Sequence, residues 1–398
     1  MFHFKPFKMG FALVLISAQS LAAATYYVAP HGHDADPGTI DRPWATVSRA
    51  TGGVAPGDVI ILRDGVYGPE GSTDFPVSIT RPGSPTSWIF LEAEHKWGAI
   101  LDCQPDPNAQ TACSGYINLR SAASYWVFQD LVLQHGTDFG MISNSTPAAH
   151  DILVRGCRFE YIGRRPNDSA IGEAGFYAGE GSRNFTFDGN VFHDIGRTSG
   201  LNPFHDHGLY LHASGTTIVN NIFYPPVSGW GIQTADGFSG LIAYNTFAFP
   251  MQNPGGHIVL WGSNSQVTIR NNIFFNPGGG VAIYYSTVNI SSGGCSVDHN
   301  IITGAAPGFV PGCSFSSSIQ ADAGLVNAVT APFDFHLRHG SPAIDAGAPG
   351  LSVITDFDGA VRPEGAAPDI GAYEFPGPAS PRAPAKPVAQ PATRPRIR

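Results

Sequence analysis

The chain has 398 residues, only 13% of them charged, with 48 glycines, 33 prolines and a formal net charge of −9. So few charges among so many turn formers exclude a coiled coil or helical bundle and point to an all-β body. The acidic balance excludes nucleic acid as the main partner.

Residues 1–24 read MFHFKPFKMGFALVLISAQSLAAA. A start carrying Lys5 and Lys8, a short apolar run from Phe11 to Ile16 and the small residues Ala22-Ala23-Ala24 predict a secretory signal peptide cut near Ala24. The mature protein is therefore expected to be secreted or periplasmic. No later run reaches the roughly 18 apolar residues of a membrane helix, so no transmembrane segment is predicted.

From Thr25 the chain alternates in a strand and turns at DADPGT. Ala45 to Ala50 then carries a short helical pattern, and a second alternating strand follows Gly57-Asp58. Five cysteines fit an oxidising compartment. Cys103 and Cys113 bracket one polar loop and Cys295 and Cys313 another segment, which predicts two local disulfides. Cys157 is left in an apolar strand as a small buried residue.

The middle of the chain is a ladder. VRGCRF, FDGNVF, VNNIF, AYNTF, RNNIF and DHNII line up, with Asn190, Asn221, Asn245, Asn272 and Asn300 at one recurring place, 31, 24, 27 and 28 residues apart. A second strand precedes each unit: GFYAGEG, HGLYLHA, WGIQTAD, HIVLWGS and VAIYYST. Two or three short strands per repeat predict the coils of a parallel β-helix. The asparagines are expected to be structural, each buried at a bend and bonded to backbone and to its neighbours above and below. After Phe375 a Pro-, Ala- and Arg-rich run, 376–398, has nothing to build a core from and is expected to be a disordered tail.

The opening segment, TYYVAPHGHDADPGTIDRPWATVSRATGGVAPGDVIILRDGVY, resembles the start of secreted right-handed parallel β-helix proteins of the pectate-lyase-like superfamily. SPAIDAGAPG and TDFDGAVRPEGAAPDIGAYEF are similar to the closing segment of such proteins. The resemblance implies one solenoid domain over 25–375, an N-terminal capping helix and a closing segment over about 330–375. It also implies activity on polysaccharides.

Parity along the strands then selects the outward residues. With Leu209 and Leu211 pointing in, Tyr210 and His212 point out. Gln233, Trp261, Tyr177 and Tyr284 hold comparable places, with Glu180, Asp206, His207, Asp236 and His257 at the margins. Aromatics interleaved with hydrogen-bonding groups suit sugar rings. The sequence reading accordingly takes His207, Tyr210, His212 and Asp206 as catalytic. It takes Tyr177, Glu180, Arg183, Gln233, Asp236, His257, Trp261 and Tyr284 as substrate-binding.

Three chemistries compete. The preferred one is β-elimination on a uronic-acid polysaccharide, with His207 or His212 as base, Tyr210 as acid and an arginine among Arg155, Arg158, Arg164, Arg165 and Arg183 on the carboxylate. Glycoside hydrolysis needs two carboxyl groups, for which Asp206, Asp236, Glu180 and Glu173 are candidates. C5 epimerisation of a polyuronate would share the proton abstraction. A non-catalytic carbohydrate-binding surface protein is the alternative of another class. Several relatives pair a basic residue with acidic calcium ligands, so Ca²⁺ is considered, although after the signal only Lys96 and Lys386 remain. A zinc or copper site at His205, His207 and His212 is a further option. The protein is expected to work as a monomer.

Overall fold

The computed structural model describes residues 23–104, 112–120, 123–163, 172–197, 205–225, 227–248, 256–278, 280–290 and 294–376. Residues 1–22 of the expected signal peptide, Arg164, Arg165 and residues 377–398 of the expected tail lie outside them.

Three parallel sheets of 11, 10 and 8 strands wind into one β-helix. A single coil shows how. Arg183–Asp188 lies in the 11-stranded sheet (face one), Val191–Ile195 in the 10-stranded sheet (face two) and His207–Leu211 in the 8-stranded sheet (face three). The next coil repeats this with Thr216–Val219, Ile222–Phe223 and Ile232–Thr234.

The corner between faces one and two is the tightest. One residue there takes the left-handed conformation (Gly189, Asn220, Tyr244, Asn271 and His299, φ between 51° and 64°), and the ladder asparagine follows. Glycine and asparagine adopt that conformation most readily. Tyr244 is held there with its ring 4.0 Å from the Arg362 guanidinium.

Each asparagine Nδ2 donates to Oδ1 of the next asparagine at 2.9–3.0 Å, from Asn190 through Asn221, Asn245 and Asn272 to Asn300. The backbone N–H of each donates to the same oxygen. Fully buried, this ladder leaves no amide unsatisfied at the bend. Cys157 occupies the preceding rung: its N–H donates to Asn190 Oδ1 at 2.9 Å, and burial pushes its thiol up to about 12.

Inside, Phe159, Phe192, Phe223, Phe247 and Phe274 form a stack with centroids 4.7–5.2 Å apart and planes within 13°. Glycine makes room for it. A Cβ on Gly208 would sit 2.7 Å from the Phe223 ring and 2.7 Å from the carbonyl of Gly231.

The helix Val47–Gly53 is capped by Thr46 and buries Val47 and Ala50. Cys103–Cys113 and Cys295–Cys313 are disulfide-bonded, the second between register partners on face one. The closing segment folds back over the outside of face two. Phe335, Leu337, Ile370 and Tyr373 pack on Val191, Ile222, Ile273 and Ile301, and Asn271 exchanges two hydrogen bonds with Ala348.

Candidate active site

Face three is built from Val77–Ile79, Ile117–Leu119, Phe139–Ser143, Ala174–Ala178, His207–Leu211, Ile232–Thr234, Ile258–Asn264 and Ile283–Ile290. Its inward column runs Met141, Phe176, Leu209, Ile232, Ile258, Ile283. The outward column runs Ile142, Tyr177, Tyr210, Gln233, Val259, Tyr284. Strand alternation read from sequence puts Leu209, Ile232 and Ile258 inward and Tyr177, Tyr210, Gln233 and Tyr284 outward.

Tyr177, Tyr210 and His212 form an aromatic group. Tyr177 and Tyr210 are 5.2 Å apart between ring centroids, Tyr210 and His212 5.4 Å, Tyr177 and His212 6.1 Å. His212 Nδ1 lies 3.2 Å from the Asp236 carbonyl. A carbonyl only accepts, so Nδ1 carries the proton and Nε2 presents its lone pair. Burial raises the Tyr210 phenol above its ordinary range, and Asp236 adds to this against the lowering bond from Gln233. Burial, Tyr210 and Glu180 raise Tyr177 likewise. Both phenols are thus kept protonated. Trp261 and Tyr284 are half-buried, Glu180 and Asp236 exposed, and Asp236 Oδ1 accepts a 2.6 Å bond from the Ser263 N–H.

Three expected members do not face out. Asp206 is 0% exposed. Its carboxylate is taken up by the buried Arg197 side chain at 2.7 and 3.0 Å and by the N–H groups of Arg197 and Glu173 at 2.7 and 3.3 Å. It is a buried anchor with no free lone pair for chemistry.

His207 is 2% exposed, lying 5.4 Å from the ring of Tyr210 and 5.8 Å from that of Trp230. Its Nδ1 has no hydrogen-bond partner among the described residues. Burial, with repulsion from His205 and Arg197, pushes the imidazole down to about 3. A side chain so enclosed is no base for an external substrate.

His257, 0% exposed, follows Gly231 in the glycine column. Its ring fills the space those glycines leave open, stacked on Phe247 (5.5 Å, 14°) and Phe274 (5.9 Å, 20°).

The arginines are dispersed as well. Arg155 pairs with Asp188 at 3.2 Å on face one, and Arg158 with Glu160 at 3.0 Å on face two. Arg183 opens a face-one strand beside His150. Trp230 is a neighbour that sequence reasoning missed, 5.8 Å from His207 and 6.3 Å from Tyr284. Aligning the repeats on Leu209 and Ile232 places it in the column of His207, which was the available signal.

A calcium site does not fit this face. Among the described residues the one group of three potential ligands is Asp64, Glu94 and His95, exposed on an early coil. The outward column of face three carries no carboxylate, and His205, His207 and His212 do not form a ligand set.

Three parallel sheets wound into one solenoid define the right-handed parallel β-helix class. Residues 26–280 match the Pel9A-like, right handed beta helix region, and the chain belongs to that family. It is 30% identical over 125 residues to pectate lyase PEL9 of Emericella nidulans, a match spanning 29% of each chain. The crystal structure of pectate lyase Pel9A superposes with a TM-score of 0.52 at 14% identity, covering 89% of this chain and 97% of that one. A glycoside hydrolase structure gives 0.50 at 10% identity, covering 74% and 96%. At these identities the likeness is one of fold.

Proposed function

We propose that this chain is an exported enzyme that cleaves an acidic, uronate-containing polysaccharide by β-elimination on face three. The observation that carries the reading is the His212–Tyr210 pair: an imidazole with its tautomer set and Nε2 free, beside a phenol kept protonated. His212 Nε2 takes the proton from C5, the C4–C5 double bond forms, the C4–O bond breaks, and Tyr210 protonates the leaving oxygen. Gln233, bonded to Tyr210, orients the phenol, and Tyr177, Trp261 and Tyr284 supply faces for neighbouring sugar rings. Two disulfides fit an oxidising compartment. No step is routed through a metal.

The test is a panel of polysaccharides followed both by ultraviolet absorbance of unsaturated uronate ends and by reducing ends. Unsaturated ends that vanish in Tyr210→Phe support elimination. Reducing ends without unsaturation would replace it with hydrolysis, and no product from any polymer would leave a binding protein.

A further inference from the structure

A second column of polar residues stands outside face three. Ser124, His150 and Arg183 are register partners on three successive coils at the entry of face one. Each is followed by a residue in the left-handed region (Tyr125 φ 59°, Asp151 φ 54°, Asn184 φ 57°), which breaks the inward alternation of Trp126, Ile152 and Phe185 in the same strands. With Pro82, Tyr125, Pro147 and Ala148 the column lines a recess of about 330 Å³. That lies at the lower end of the roughly 300–1,000 Å³ range of small-ligand sites.

The groups around this recess are unspent. Arg183 is exposed and makes no ion pair with any described residue, whereas Arg155, Arg158, Arg197, Arg270 and Arg362 each have a carboxylate. The Ser124 hydroxyl is buried and has no hydrogen-bond partner among the described residues. The nearby carboxylate of Asp151 is engaged by His150 Nδ1 at 2.6 Å and by Asn184 Nδ2 at 3.2 Å. That bond leaves His150 Nε2 for a ligand hydroxyl. Tyr125, edge-on to Trp88 at 5.7 Å and to His150 at 5.4 Å, gives a rigid apolar wall. A lone guanidinium, a hydroxyl, an imidazole nitrogen and an aromatic wall are what a carboxylated pyranose requires: one anion, several hydroxyls and a C–H face.

We infer that this recess is an ancillary site for one uronic-acid unit of the polymer, with Arg183 on its carboxylate. The inference rests on the reading that the polymer is acidic, but its site is not the reacting one. Calorimetric titration with a short oligohexuronate, a monomeric hexuronate and a matched neutral oligosaccharide, on the full chain, tests it. Wild type and His212→Ala should bind the acidic oligomer at two sites. Arg183→Ala should lose one of them, its affinity falling roughly ten- to a hundredfold as when a charge-assisted bond is removed. Ser124→Ala should weaken the same site less, and thermal melts establish that each variant is folded. Unchanged stoichiometry in Arg183→Ala, or equal binding of the neutral oligomer there, would overturn the proposal. If wild type cleaves only neutral polymers, the elimination reading fails, while Arg183-dependent uronate binding is still read from the titrations.

Discussion

Two outer faces of this solenoid carry histidines beside tyrosines, and they have opposite fates. On face two His193 lies 2.8 Å from Glu160 and 2.8 Å from Asp194, Glu160 also holds Arg158 at 3.0 Å, and Tyr224 stacks on the imidazole at 4.6 Å. Phe333 and Phe335 of the closing segment then cover Tyr224 at 5.1 and 5.5 Å. On face three Tyr177, Tyr210 and His212 keep access to solvent and have no ion pair among the described residues. The coil repeats the same backbone on both sides. Whether a polar group is structural or available for chemistry depends on what lies over it.

The sharpest break of that comparison is catalytic. His212→Ala should lower kcat by about 10²–10⁴-fold, the range of a lost general base, without moving the thermal midpoint. Glu160→Ala should do the reverse, costing about 3–5 kcal/mol in urea unfolding because it strands buried cations, while turnover of the folded fraction stays. An Asn245→Ala change should cost about 2–3 kcal/mol by the same measurement, since it leaves amides of the adjacent rungs unpaired.

Titration sharpens the contrast. Burial alone would lower His193, but Asp194 and Glu160 outweigh it and raise its pKa above the ordinary 6.5. Its contribution to stability is therefore complete below 6.5 and is lost as pH rises through the folded value. His207, pushed down to about 3, behaves in the opposite sense: its contribution is complete above 6.5 and is lost as pH falls from there toward 3. Stability measured against pH should lose its slope above 6.5 in His193→Gln and its slope between 6.5 and about 3 in His207→Gln. The smallest effect expected is Trp261→Ala, a several-fold rise in KM with little change in kcat, as befits a stacking wall.

Much of the fold was legible because its rules are local. The asparagine spacing and the two-residue alternation place Tyr177, Tyr210, Gln233 and Tyr284 in one outward column and Leu209, Ile232 and Ile258 beneath them. The site was legible only where alternation holds. It fails where a strand is entered: Gly208 and His257 turn toward the phenylalanine stack, and His207 is closed off by Trp230 from the next coil. Asp206 depends on Arg197, a partner that no spacing rule supplies. Arg183 lies on another surface because it opens a face-one strand.

The asparagine ladder has a direction and two ends. The bonds from one asparagine side chain to the next all point toward the C-terminus, from Asn190 to Asn300, while each Nδ2 also donates to a carbonyl of the preceding coil; at the end the Asn300 N–H donates to the hydroxyl of Ser318 at 3.3 Å. At the other end Cys157 lends a backbone N–H but has no side-chain oxygen to receive one. These two residues act as chain terminators for a one-dimensional polymer of side chains. The ladder occupies the corner across the core from face three, behind the coils that carry Tyr177, Tyr210, Gln233 and Tyr284. Face three runs on past Cys157 through Phe139–Ser143, Ile117–Leu119 and Val77–Ile79, so a coil beyond a terminator needs no asparagine of its own.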